Sequence, residues 1–182
     1  MKYGSLLLVL GLLFGAAGVG AQETATKSAA QDPKPTTYKD WQVVCAKDDK
    51  GTEHCQMGQP IASITIGKDK NGKDVNFPIL VTFRYIPGDK SPILSVNLPL
   101  GVPLAPGVGL QIDGGKPIRV PFQMCSPNIG CIAAIQANSS LVTALKKGNK
   151  AVLAIALEQK AGKIPVSLLG FTKAFNHIKK RK

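Results

Sequence analysis

Cys45, Cys55, Cys125 and Cys131 are the only cysteines of this 182-residue chain, and they fall into two close pairs with no thiol left over. The residues before them read as an export signal. Lys2 supplies a positive start, Ser5 to Gly15 is mostly apolar, and Val19-Gly20-Ala21 ends in the small residues that a signal peptidase accepts. Residues 1–21 are therefore expected to be a signal peptide cleaved after Ala21. An exported chain meets an oxidising compartment, where paired cysteines form disulfides and persist. Four cysteines allow three connectivities, and spacing does not choose among them. Local pairing is the expectation. Cys45–Cys55 would enclose the polar Lys47-Asp48-Asp49-Lys50-Gly51, and Cys125–Cys131 the turn-forming Pro127-Asn128-Ile129-Gly130. Bridges over loops of this size stabilise by about 2–3 kcal/mol each.

The same cysteines weigh against a metal centre. Structural zinc sites usually place two to four residues between paired thiolate ligands, whereas nine and five residues separate these pairs. A Cys-x-x-Cys redox motif is absent as well. No metal or other cofactor is expected. The N-terminal apolar run, interrupted by four glycines up to Ala21, is short against the roughly 20 apolar residues of a spanning helix. The mature chain is expected not to span a membrane, and with Cys45 as its first cysteine it offers no lipidation site.

Charge narrows the partners. Lys and Arg number 23 against 11 acidic residues, a formal net charge of +12 that falls to +11 without Lys2. This balance suits anionic envelope or host-surface components. Nucleic acid is set aside, because the chain is exported and lacks a basic motif interleaved with aromatics. Catalytic signals are also missing. Of the two histidines, His54 lies beside Cys55 and His177 beside the basic end of the chain. No Gly-x-Ser-x-Gly elbow, His-Glu-x-x-His or dinucleotide-binding glycine pattern occurs. Gly67 to Lys73 has P-loop spacing, but Asp74 stands where the magnesium-binding hydroxyl belongs. The segment from Asp69 through Asn71-Gly72 reads as a hairpin turn rather than a calcium loop, which needs a bidentate Glu at its twelfth position. Asn138-Ser139-Ser140 fits a glycosylation pattern but serves better as a helix cap. The carboxylates Asp40, Asp48, Asp49, Glu53 and Asp113 are not expected to be catalytic.

Residues 22–37 contain alanine as their only apolar type, with two prolines, and read as a flexible lead. Thereafter short apolar runs alternate with turn signals, the pattern of an all-β domain over residues 38–177. Strands are expected at Trp41–Cys45, Ile61–Ile66, Phe77–Ile86, Ile93–Leu98, Val108–Ile112, Ile118–Met124, Cys131–Ala137, Ala151–Glu158 and Ile164–Leu169. Asn138 or Ser139 would cap a short helix over Leu141–Lys147 that Gly148 ends at C′, and a final helical turn would run from Phe171 to His177. About nine short strands with one or two short helices and two disulfides imply a single sandwich or barrel-like domain. The proline-rich stretch from Pro99 to Pro106 is expected to be a buried crossover loop rather than an exposed apolar contact site. Residues 178–182, with Lys179, Lys180, Arg181 and Lys182, form a basic tail, a solvated segment able to contact an anionic surface.

Taken in order, Asp40-Trp41 with Cys45 and Cys55, Pro99-Leu100-Gly101-Val102, Gly107-Val108-Gly109-Leu110, Ile112-Asp113-Gly114, Cys125 with Gly130-Cys131, Ile164-Pro165-Val166-Ser167-Leu168 and Gly170-Phe171 resemble the bacterial invasion-associated locus B family. The resemblance covers about residues 38–176. It implies an exported β-rich protein, periplasmic or associated with the outer membrane or cell surface, and brings no catalytic residues with it. The function expected is non-enzymatic: an aid to host-cell interaction or invasion that binds an anionic or a protein partner. The alternative is a periplasmic enzyme, or a folding or envelope-maintenance factor, of a type with no recognised motif.

Overall fold

A computed structural model describes residues 34–156 and 161–181. The expected signal peptide, most of the lead and Lys182 lie outside the described residues. Two antiparallel sheets share one core. The larger runs in the order β1 (Thr36–Tyr38), β2 (Trp41–Lys47), β3 (Glu53–Lys68), β4 (Asp74–Arg84), β5 (Ile93–Leu98), then β9 (Gly130–Gln136) and β8 (Phe122–Ser126). The smaller runs β11 (Ala161–Ser167), β10 (Lys150–Ala156), β6 (Val108–Ile112) and β7 (Ile118–Val120). The helices are α1 (Ser139–Lys147) and α2 (Phe171–Lys179). The all-β expectation with two small helices and two disulfides is what the chain adopts.

Alternation builds the core. On β2, Trp41 and Val43 point inward; on β4, Ile79, Val81 and Phe83; on β5, Leu94, Val96 and Leu98; on β10, Ala151, Leu153 and Ile155. These buried rows face one another across the sandwich, the arrangement that period-2 patterning produces when each sheet has one wet face. Phe171 and Phe175 of α2 close one end, with Phe171 edge-on to Trp41 and Phe83 at centroid separations of 5.2 Å.

One buried polar side chain joins the sheets. Gln59 of β3 is 4% exposed. Its Nε2 donates to the Asp40 and Ser167 carbonyls, and its Oε1 accepts from the Ser167 N–H at 3.0 Å. The Trp41 indole N–H donates to the same Ser167 carbonyl at 2.9 Å. Every polar group of this amide is thereby satisfied, the condition under which a buried polar residue is tolerated.

Several elements depart from their expected limits. β1 begins at Thr36, inside the lead expected over residues 22–37. Residues 53–60 are the first half of β3, where Gln59 occupies an inward position that alternation reserves for an apolar residue. The expected strand Ile118–Met124 is two strands, because Pro121 has no N–H for a ladder. There the chain leaves the small sheet for the large one, and the Pro121 carbonyl accepts from Ala134. Asn138 caps α1 through Oδ1 to the Leu141 N–H at 2.9 Å. Gly148 ends α1 in an extended conformation (φ −72°) rather than a left-handed one. A Cβ there would lie 2.8 Å from Ile112 and 2.9 Å from Leu168, so glycine is present for space. The loop from Pro99 to Pro106 is only partly buried: Pro99 is buried and Val102 packs against the core, but Leu100 and Leu104 are 51% and 48% exposed. The Arg119 side chain holds it against the sheet edge by donating to the Pro106 and Ala105 carbonyls, so these hydrogen bonds supplement the partial apolar burial.

Gly170 governs where α2 starts. Its φ is +87°, and a Cβ would stand 1.9 Å from the Tyr38 carbonyl oxygen. Both handedness and space therefore require glycine. Replacement of Gly170 by Ala is expected to cost at least about 2 kcal/mol, read as a lower urea midpoint with an unchanged slope. Gln59→Leu, which strands the Ser167 N–H, should cost about 1–3 kcal/mol in the same measurement.

Candidate functional site

The cysteines pair locally, Cys45 with Cys55 and Cys125 with Cys131. Each pair sits at directly opposed positions of an antiparallel hairpin, β2–β3 and β8–β9. A tight turn precedes each second cysteine. In the first, Asp48 Oδ1 accepts from the Lys50 and Thr52 N–H groups, and Oδ2 bonds His54 Nε2 at 2.9 Å. The His54 bond, with those backbone donors, holds the Asp48 carboxyl below its ordinary range. Asp113 is used similarly. Its carboxylate takes the Lys150 and Asn149 N–H groups, which lowers its pKa and ties the β6–β7 turn to the start of β10. These carboxylates build turns.

The described chemistry converges where α2 passes beside β1 and the Cys45–Cys55 bridge. Phe171, Ala174, Phe175 and Ile178 form the buried stripe of α2, with the i, i+3, i+4, i+7 spacing of an amphipathic helix. The stripe reaches Ile178, 1% exposed, so the expected final turn Phe171–His177 continues through Lys179. Within the segment expected as a solvated tail, residues 178–182, Ile178 and Arg181 are therefore anchored. Lys179 ends the helix, and Arg181 Nε pairs with Glu53 Oε2 of β3 at 2.6 Å.

Around His177 the hydrogen bonds form a chain. Arg181 donates to His177 Nε2, and Tyr38 Oη lies 2.9 Å from His177 Nδ1. A guanidinium has no acceptor, so Nε2 must be the bare nitrogen and Nδ1 must carry the hydrogen. Nδ1–H then donates to Tyr38 Oη. Burial, then the Arg181 and Lys180 cations, hold the imidazole below its ordinary pKa against the opposing pull of Glu53. The ring also rests on the disulfide: a His177 nitrogen and the Cys45 and Cys55 sulfurs lie within 4.8 Å of one another. Because those sulfurs are bonded to each other, the trio lacks the thiolates that a metal would require.

Tyr38, Lys173, Asn176, His177, Lys180 and Arg181 line an open groove of about 590 Å³ between β1 and α2. On the opposite flank of α2, Lys146 donates to Asn176 Oδ1 at 2.9 Å and lies 4.7 Å from the Phe175 ring centre. Its pKa is lowered by partial burial and by Lys179. α1 and α2 carry Lys146, Lys147, Lys173 and Lys179 and no acid, and Lys180 and Arg181 follow α2 directly. A second cleft, of about 560 Å³, lies across the β2–β3 ribbon between Val44, Ala46, Gln56, Arg84, Tyr85 and Ile86, and is mainly apolar. Among the described residues no helix is long and apolar enough to cross a membrane.

The family model for invasion associated locus B protein matches residues 41–179, from the interior Trp41 to the last residue of α2. The chain belongs to this family. Two invasion protein B homologues of Brucella abortus, from strain 2308 and from biovar 1 strain 9-941, are each 30% identical to it over 145 residues, covering 78% of this chain and 77% of theirs. The crystal structure of invasion associated protein B from Bartonella henselae has the same fold, with a TM-score of 0.61 at 24% identity over 81% of this chain and 95% of that one. In this invasion associated locus B protein, the residues that carried the resemblance meet in space: Asp40 and Trp41 on Ser167 and Leu169, and Gly170 on Tyr38. Sequence reasoning did not single out Tyr38, Lys173 or Lys180 as a group. The basic stripe was visible at i, i+7, but nothing in the sequence pairs β1 with α2.

The sign of the His177 effect on stability follows from its lowered pKa. The folded protein resists protonation that the unfolded chain accepts near pH 6.5, so the unfolded state binds more protons on acidification. This contribution is complete above pH 6.5 and is lost as pH falls below it. His177→Gln should flatten the stability profile below pH 6.5, measured by thermal melts as the pH is lowered. The His177 ring resonances of the unmutated protein should titrate with a midpoint below 6.5.

Proposed function

We propose that this protein is a non-enzymatic exported envelope or surface protein that aids bacterial interaction with host cells by engaging an anionic surface through the cationic end formed by α1 and α2. Its relatives are named as invasion proteins, and an export signal with two disulfides suits a periplasmic or surface-associated life. The observation that carries the reading is the one-sided charge. Lys146, Lys147, Lys173 and Lys179 belong to two adjoining helices and Lys180 and Arg181 follow directly on the second, and the only acid bonded to any of them among the described residues is Glu53, held by Arg181. Concentrated charge of this kind steers anionic partners and supplies attraction of about 1 kcal/mol per cation near an anionic bilayer. On this reading the expected contact residues Lys179, Lys180 and Arg181 act together with Lys146, Lys147 and Lys173.

The test is binding to phosphatidylglycerol-containing and to neutral vesicles as salt is raised. Selective binding to the charged vesicles, weakening with salt, is expected. Replacing Lys147, Lys179 and Lys182 by Gln should weaken it on the order of 100-fold. Equal or absent binding to both vesicle types would overturn the reading and turn attention to protein partners.

A further inference from the structure

We propose that the groove between β1 and α2 is a seat for a phosphomonoester group. This inference rests on the reading of the helical end as an anion-binding face and goes beyond it by naming the ligand chemistry and the residues that select it. The first argument is the direction of the hydrogens. Arg181 fixes His177 as the Nδ1–H form, and Nδ1–H is donated to Tyr38 Oη. Tyr38 therefore acts as an acceptor toward the histidine. Its own hydroxyl hydrogen is left to turn into the groove that Tyr38 lines, a donor placed by a relay running back to Glu53.

The second argument is what surrounds that donor. Lys173 on α2 and Lys180, the residue that caps it, are seven positions apart with His177 between them, so the groove carries two ammonium groups on either side of the imidazole. The guanidinium of Arg181 has five N–H groups, of which the bonds to Glu53 and His177 use two. Among the described residues no carboxylate lines the groove. Two ammonium groups, a guanidinium and a hydroxyl carry more positive charge than the single charge of a carboxylate balances. They match the three terminal oxygens and the charge of about −1.5 to −2 of a phosphomonoester at neutral pH. A phosphodiester, with one charge and two free oxygens, leaves donors unused.

The third argument is rigidity. The Tyr38 ring stands edge-on to His177, with centroids 5.7 Å apart. Gly170 holds the start of α2 against the Tyr38 carbonyl, and Arg181 ties the other end to β3. The donors are thus fixed before a ligand arrives, which reduces the ordering cost of binding.

The experiment titrates the mature protein with inorganic phosphate, sulfate and acetate at constant ionic strength, following backbone amide resonances at pH 7. In parallel it compares vesicles containing phosphatidic acid, a monoester, with phosphatidylglycerol vesicles matched in surface potential. Phosphate and sulfate are both expected to bind at least tenfold more tightly than acetate, with shifts centred on Tyr38, Lys173, His177 and Lys180. Tyr38→Phe, which keeps the ring, should weaken phosphate about tenfold, and the double variant Lys173→Gln, Lys180→Gln more than that. If the phosphomonoester is presented by a lipid, phosphatidic acid vesicles should be preferred and Tyr38→Phe should erase the preference. If it is free in solution, the phosphate preference over acetate should stand with no difference between vesicles. Salt-sensitive binding to both vesicle types, indifferent to Tyr38→Phe and without phosphate preference, would overturn the seat and leave the general electrostatic reading intact. Phosphate preference without any vesicle binding would uphold the seat and overturn the surface reading.

Discussion

The Ser167 backbone is where the two sheets are held in register. Its carbonyl receives the Trp41 indole and the Gln59 amide, and its N–H returns a bond to the same glutamine. Apolar burial drives sheets together without direction, and a sandwich held by that alone could slide. A buried amide with all its groups satisfied has one geometry, and a half-satisfied one would cost about 1–3 kcal/mol. The Trp41–Gln59–Ser167 cluster therefore converts a general attraction into one alignment. It also places β11 so that the chain leaves it at Leu168 and Leu169, directly above the β1–β2 turn, where the Asp40 N–H meets the Leu169 carbonyl.

The cationic face follows from that alignment. Once α2 begins beside Tyr38, its apolar stripe must descend on Trp41, Phe83 and Tyr85. The remaining sides, rich in Lys and carrying no acid, have nowhere to turn except outward and toward α1. Partial burial of Lys146 against Phe175 shows how closely the helices hold their charges. The pairing of Arg181 with Glu53 spends the nearest acid on fastening the end of the helix.

Much of the architecture was legible from the chain itself. Alternating Trp41-Val43, Leu94-Val96-Leu98 and Leu153-Ile155 announced strands because each has a wet face and a dry one. Local disulfides followed from turn-forming residues between close cysteines. What escaped notice was governed by tertiary partners. Gln59 hid half of β3, since a glutamine in a core position makes sense only once Asp40 and Ser167 are beside it. Pro121 concealed a change of sheet, and the spacing of Gly148 suggested a left-handed cap where the need was room for Ile112 and Leu168. The basic tail was read by composition, which records charge but not that Ile178 prolongs a buried stripe. The groove residues were the least visible, because Tyr38 and Lys180 are brought together only by the path of the whole chain between them.

The contact at Gly170 has a mechanical meaning. One wall of the groove is β1 and the other is α2, and the two touch backbone to backbone, with no side chain between them to yield. They behave as a jaw without a hinge. Such a cleft discriminates by what its fixed opening admits rather than by closing on its ligand, so a bulky ligand must present its charged group at the end of a narrow stem.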